Sequence, residues 1–219
     1  MGAYRRNRQL SIRNCGDGPM SNDPTVGSAQ WAQWRKAVDL DDYESRWDRM
    51  AEQGENPHGE VDFVMQFEPK TALDAGCGFG RVGIELNARG VEIVGVDLDA
   101  DLLGRAKRRA PELDWRHADL AAVDIGRQFD LVVAAGNVIG FVNAADRSNA
   151  VQNCARHVAP GGWLVMGNQL KATWATIAEF DEWCSREGLV PAEHKAGWES
   201  EILGEDPDYV VTVHHRPAS

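Results

Sequence analysis

The sequence predicts a doubly wound α/β fold: a mostly parallel sheet with helices on both faces, preceded by an N-terminal helical cap. Three observations carry this. From Lys70 onward, short and nearly continuous apolar runs alternate with stretches of helical period, the pattern of parallel strands covered on both sides. A glycine-rich turn, Asp74-Ala75-Gly76-Cys77-Gly78-Phe79-Gly80, separates the first run from the first helical stretch. The length of 219 residues, with 43% hydrophobic and 26% charged side chains, suits one α/β domain plus an arm and is short for two full domains.

Residues 1–28 are rich in Arg, Asn, Gly, Ser and Pro without apolar periodicity, and read as a flexible arm. The Arg-rich opening lacks the apolar stretch of a secretory signal, and Met20 is an alternative start. Residues 29–69 form the expected cap. Trp31, Trp34, Val38, Leu40, Tyr43, Trp47 and Met50 recur at mostly three- and four-residue spacings, which predicts amphipathic helix over 29–53 with a break around 39–42. A turn at 54–57 leads to a short helix over 60–67, stopped by Pro69.

The domain proper spans 70–219. TALDAG reads as a buried strand, 81–88 as a helix, VEIVGVDL as a strand, and 100–110 as a helix closed by Pro111. LDWRHADL and FDLVVAAG are the next strands, 144–158 a helix, and WLVMGNQ a strand after the Pro160-Gly161-Gly162 turn. A long helix over 173–187 precedes two late strands over 192–198 and 209–215, giving seven strands in all.

A formal net charge of -11 repels a phosphate backbone, so nucleic acid is not an expected partner. The four cysteines are scattered, with no ligand spacing for a metal, and fit reduced thiols of a cytoplasmic protein. No run approaches the ~18 apolar residues of a membrane span. Monomer and homodimer both stay open.

Function is legible at the glycine turn. Glycines there allow positive φ and close approach of backbone to ligand, next to the unpaired N–H groups of a helix start. Asp97 ends the second strand, 21 residues after Gly76, where a carboxylate accepts both hydroxyls of a ribose. Asp119 ends the third strand in the same way, placed to accept the amino group of an adenine. Gly78-Phe79-Gly80-Arg81-Val82-Gly83 also spells the dinucleotide fingerprint G-x-G-x-x-G, but in poor register, because Asp74, Gly76 and Cys77 come between strand and first glycine.

These residues resemble the class I S-adenosylmethionine (SAM)-dependent methyltransferases: DAGCGFG is similar to their glycine motif, VGVDLD to the ribose-binding strand end, HADL to the adenine-binding strand end, and APGG to the turn before their fifth strand. The resemblance covers about residues 70–217 and implies a Rossmann-like, seven-stranded sheet whose last strand is antiparallel. It implies SAM as cofactor, with the glycine loop of Asp74, Gly76, Cys77 and Gly78 at the methionine half, Asp97 at the ribose and Asp119 at the adenine, and with Leu98, Leu120 and Ala135 also in the cofactor site. The implied activity is methyl transfer to a small molecule. A SAM-binding sensor or scaffold without catalysis and an NAD(P)-dependent oxidoreductase are the alternatives.

Three residues are candidates for catalysis. Asn137 follows the fourth strand at the carboxyl edge, where ligands of open α/β sheets bind, and equally suits the turn Gly136-Asn137. His58 and Glu60 lie in a segment that roofs the pocket in the resembling family, where either is a candidate general base or a solvated loop residue. His117 reads as structural, and Trp31, Trp34 and Trp47 as packing rather than a substrate cage. The acidic residues Glu199, Glu201, Glu205, Asp206 and Asp208 fall between the last two strands, at the active edge if the family topology holds.

Overall fold

The computed structural model describes residues 27–218. The arm expected over 1–28 therefore lies outside the described residues except for Gly27 and Ser28, as do Cys15 and Met20. In chain order the elements are α1 (Ala29–Ala37), α2 (Leu40–Glu52), α3 (Gly59–Met65), β1 (Thr71–Ala75), α4 (Arg81–Ala88), β2 (Glu92–Asp97), α5 (Ala100–Arg109), β3 (Asp114–His117), β4 (Phe129–Ala134), α6 (Val138–Phe141), α7 (Arg147–Arg156), β5 (Val158–Gln169), α8 (Ile177–Arg186), β6 (Val190–Lys195) and β7 (Tyr209–His215).

The strands form one seven-stranded sheet in the order β3-β2-β1-β4-β5-β7-β6. Neighbours from β3 to β5 pair in parallel, and β7 runs antiparallel to both β5 and β6. The doubly wound sheet with an antiparallel last strand is thus the one expected. Successive residues of the central strands serve opposite faces, so Leu73, Val132, Leu164 and Met166 pack with Val151, Cys154 and Phe180 from α7 and α8. Ala72, Ile93, Leu131 and Val165 pack on the other face with Val82, Leu86, Leu103 and the α3 residues Val61 and Val64. Each fully buried Leu or Phe contributes about 1.5–3 kcal/mol, which makes these clusters the main stabilising term.

Several boundaries differ from expectation, each for a local reason. The strand read as starting after Pro160-Gly161-Gly162 begins earlier, at Val158. Phe129 pairs with Val158 and Leu131 with Trp163, so the turn is an irregularity inside β5. Backbone bonds from Gly161 N to Arg216 O (2.8 Å) and from Arg216 N to Gly162 O (2.9 Å) keep it in the sheet. The helix expected over 173–187 starts at Ile177, because Thr176 and Glu179 form a reciprocal capping box there. Trp174 instead folds back in a turn to meet Phe141, with ring centroids 5.7 Å apart. The helix expected over 144–158 is α7 alone, and the short α6 before it carries residues read as loop. The third strand stops at His117, which leaves Asp119 in the turn beyond it, its Oδ1 accepting from Ala121 N (2.8 Å).

The cap breaks where Asp39 accepts from the N–H groups of Asp41 and Asp42 and so starts α2. Ser28, itself buried, caps α1 by accepting from Trp31 N (3.1 Å). Neither α1 nor α2 has a fully buried residue. They dock instead through stacked aromatics and ion pairs: Arg35 to Asp99 at 2.5 Å, Arg105 to Glu44 at 2.8 Å, and Arg109 to Glu44 at 2.9 Å.

Candidate active site

The chain order reverses between β1 and β4, and a cavity of about 560 Å³ opens outside the carboxyl ends of these strands, where open α/β sheets bind ligands. The turn after β1 forms its floor. Gly76 N and Cys77 N both donate to Val96 O (2.8 and 2.9 Å), so the turn begins as a continuation of the β1–β2 ladder. Gly78 then takes φ +56, and a Cβ added there would meet nothing nearer than Leu102 Cδ1 at 4.0 Å. Space above the backbone is left clear.

The literal G-x-G-x-x-G has a packing explanation. Gly83 N donates to Asp74 Oδ2 (2.9 Å), and a Cβ at Gly83 would stand 3.1 Å from that oxygen. The third glycine therefore ties α4 to the end of β1 through Asp74. Burial pushes the Asp74 carboxyl up to about 7 despite this hydrogen bond.

Asp97 is buried at the end of β2, and burial pushes its carboxyl up to about 6. Its Oδ2 accepts from Gly78 N and its Oδ1 from Asp99 N, both at 2.7 Å. Each oxygen retains a second lone pair, the capacity needed for two hydroxyls. Leu98 follows, its carbonyl bonded to His117 Nε2 at 2.9 Å. Asp119, Leu120 and Ala135 also line the cavity.

Gly136 and Asn137 both have positive φ, +81 and +68. Asn137 N donates to Gly167 O (3.0 Å), and its Oδ1 accepts from Gln169 N (2.6 Å). The side-chain carbonyl thus locks the turn after β4 to the end of β5, while the Asn137 amide NH2 has no partner among the described residues. The strained αL turn and the cavity-lining position coincide in one residue.

The candidates before β1 separate. Glu60 lines the cavity and is bound by Arg81, with Nη2 to Oε1 at 2.5 Å and Nη1 to Oε2 at 2.9 Å. Arg81 also donates to Pro57 O (2.6 Å) and stacks 4.0 Å over the Trp47 ring, so it joins the cap to the first turn of α4. His58 is not among the lining residues, and its Nε2 lies 3.7 Å from Glu85 Oε2.

The roof comes from the cap. Trp31 and Trp34 stack at 4.8 Å, Tyr43 meets Phe79 at 5.7 Å, and Trp31, Trp34, Tyr43 and Trp47 all line the cavity. Sequence reasoning overlooked the opposite wall. Trp198 and Tyr209, at the two ends of the acidic loop, face the cavity, and Trp198 Nε1 donates to the Tyr209 hydroxyl (3.0 Å). Burial pushes the Tyr209 phenol up to about 12. The acidic residues of that loop do not line the cavity. Asp146, at the start of α7, lines it with a carboxylate that has no side-chain partner among the described residues. Its helix packs beside Leu120, whose carbonyl accepts from Asn153 Nδ2 (3.1 Å). Spacing alone carries no signal for Tyr209, Trp198 or Arg81, since nothing periodic distinguishes them from core or surface positions.

Residues 72–162 match the family model of a methyltransferase domain. The chain is similar to the solved structure of a TehB-like SAM-dependent methyltransferase from Corynebacterium glutamicum, at 32% identity over 80% of this chain and 97% of that one, with a TM-score of 0.73. A dTDP-3-amino-3,6-dideoxy-alpha-D-glucopyranose N,N-dimethyltransferase of Streptomyces fradiae is 33% identical over 47% of this chain and 42% of its own length. A demethylmenaquinone methyltransferase of Thermus thermophilus is 34% identical over 55% of this chain and 53% of its own. The chain spans about half the length of the curated relatives it matches. Among the described residues, no group of metal-ligating side chains is assembled, and no helix is long and apolar enough to cross a membrane.

Proposed function

Because the chain belongs to the SAM-dependent methyltransferases, we propose that it transfers a methyl group from SAM to a small-molecule acceptor. The observation that carries this reading is the pairing of Asp97, buried with two lone pairs free, and the cleared backbone above Gly78, at the point where the strand order reverses. These residues fit the cofactor: the carboxylate suits a ribose diol, and the glycine turn admits the amino-acid chain. Asp119, Leu120 and Ala135 would flank the adenine.

When bound, SAM supplies an activated methyl carbon, whose bond to sulfur breaks with its electron pair leaving on sulfur as the acceptor's lone pair attacks. The protein's part is to align the acceptor and exclude water. Trp31, Trp34, Tyr43 and Trp47 cover the cavity, and Trp198 walls it. Asn137 through its amide N–H and Tyr209 through its hydroxyl hold the acceptor by donating hydrogen bonds, and the raised Tyr209 phenol keeps its proton at neutral pH. Glu60 serves by fixing Arg81 rather than as a base, and His58 stands outside the cavity beside Glu85. With Glu60 held by Arg81, the acceptor attacks with a lone pair it already has, and it sheds any proton once it has left the covered cavity.

The net charge of -11 supports a small acceptor in preference to nucleic acid, in a soluble cytoplasmic protein. The unit doing this is the domain over 70–219 with the cap over 29–69. Parallel calorimetry with SAM, S-adenosylhomocysteine (SAH) and NADH tests the cofactor. Binding of the first two alone is expected, and binding of NADH alone would overturn the reading. SAH release in a metabolite extract then separates an enzyme from a sensor.

A further inference from the structure

Two cationic side chains line the cavity, Arg81 and Arg46. Arg81 is committed to Glu60, Pro57 O and Trp47. Arg46 is different. It projects from α2 with its guanidinium 5.1 Å from the Trp47 ring, and no carboxylate lies within ion-pair distance of it among the described residues. Arginines elsewhere on the cap face do find carboxylates, as Arg35 does on Asp99. A lone guanidinium at the edge of a cavity lined by Glu60, Asp74, Asp97, Asp119 and Asp146 marks a place for an anion supplied by the ligand.

Its place along the cavity says which anion. Tyr43, Arg46 and Trp47 share one face of α2, being three and four residues apart. Tyr43 packs against Phe79, next to Gly78. Arg46 thus belongs to the glycine-turn end, whereas Leu120 and Asp146 mark the opposite, adenine end. SAM carries a single carboxylate, on its amino-acid chain, and the glycine turn is where that chain lies in the reading above.

We propose that Arg46 binds the α-carboxylate of the cofactor's amino-acid chain, so that α2 docks over the site when the cofactor is present. This rests on the SAM reading and extends it: the cap becomes part of the cofactor site as well as a roof. A guanidinium suits the task because its paired N–H groups match a carboxylate edge to edge.

The test compares SAH with 5′-methylthioadenosine, which keeps the adenosine and thioether and lacks the amino-acid chain. Arg46→Gln should weaken SAH by roughly tenfold to a hundredfold, the usual range for a hydrogen bond to a charged group, and leave 5′-methylthioadenosine within twofold. Arg46→Lys should recover part of the loss. Arg46 is exposed and unpaired, so the variants keep the wild-type melting temperature. SAH affinity unchanged in Arg46→Gln, or an equal loss for both ligands, overturns the proposal and leaves the SAM reading standing. Failure of the wild type to bind SAH overturns both.

Discussion

Replacing Asp97 by Asn separates the contribution of this residue to folding from its contribution to binding. Burial pushes the Asp97 carboxyl up from 3.8 to about 6, so its charge costs the fold on the order of 3 kcal/mol. The folded state holds the proton more tightly than the unfolded state. The penalty is therefore complete above about pH 6, shrinks as pH falls, and is gone below about 3.8. Asn removes the charge but presents one acceptor oxygen to two N–H donors, Gly78 and Asp99, so one of them is left facing an NH2 group. An orphaned buried donor costs about 1–3 kcal/mol. The two effects offset, and at pH 8 the melting temperature should move by only a few degrees. Binding has no such offset. The ribose diol loses a charge-assisted acceptor worth about 1.5–3 kcal/mol, so SAH should bind roughly tenfold to a hundredfold more weakly. Calorimetric titration with SAH and thermal melting at pH 8 report the two quantities separately. A folded variant with a Kd within threefold of wild type would refute the placement of ribose at Asp97.

Glu60→Gln should lower SAH affinity and turnover together, because loosening Arg81 frees the cap; a collapse of turnover with intact SAH affinity would restore Glu60 as a general base. Tyr209→Phe should leave SAH binding unchanged while kcat/KM for the acceptor falls about tenfold, read by SAH release once an acceptor is found, and an equal loss of both would put the hydroxyl at the cofactor. A Cβ at Gly140 would stand 2.2 Å from the Trp174 ring, so Gly140→Ala should cost about 1–3 kcal/mol by overpacking; an unchanged denaturation midpoint would mean that Trp174 yields freely.

What could be read from sequence followed the range of the forces involved. Buried strands and the glycine turn are local, so Leu73, Val94 and Val132 announced themselves by unbroken apolarity, and Asp97 by its distance from Gly76. Where a segment's fate depends on a distant partner, the local sequence carries no sign of it. Pro160-Gly161-Gly162 looks like a turn in isolation and stays in the sheet because Arg216 pairs with it. Trp174 fits a helical stripe and leaves it for Phe141. Glu60 looked like a free carboxylate because Arg81, its partner, is 21 residues away, and the Trp198–Tyr209 wall exists only once β7 folds back against β5.

The sparse anchoring of α1 and α2 has a kinetic meaning. The pairs that hold them are few and only partly buried, and neither helix has a fully buried residue, so lifting these helices away costs far less than unfolding the sheet beneath. Amides over 29–52 should then exchange with deuterium through a shallow local opening, while those of β1, β4 and β5 wait for global unfolding. A ligand held under such a gate departs at the rate the gate swings, so its residence time is written in Arg35, Glu44 and Arg105 as much as in the residues that touch it. Raising ionic strength would shorten that residence by screening these pairs together with the contact proposed for Arg46, and the ceiling on turnover would rise with it.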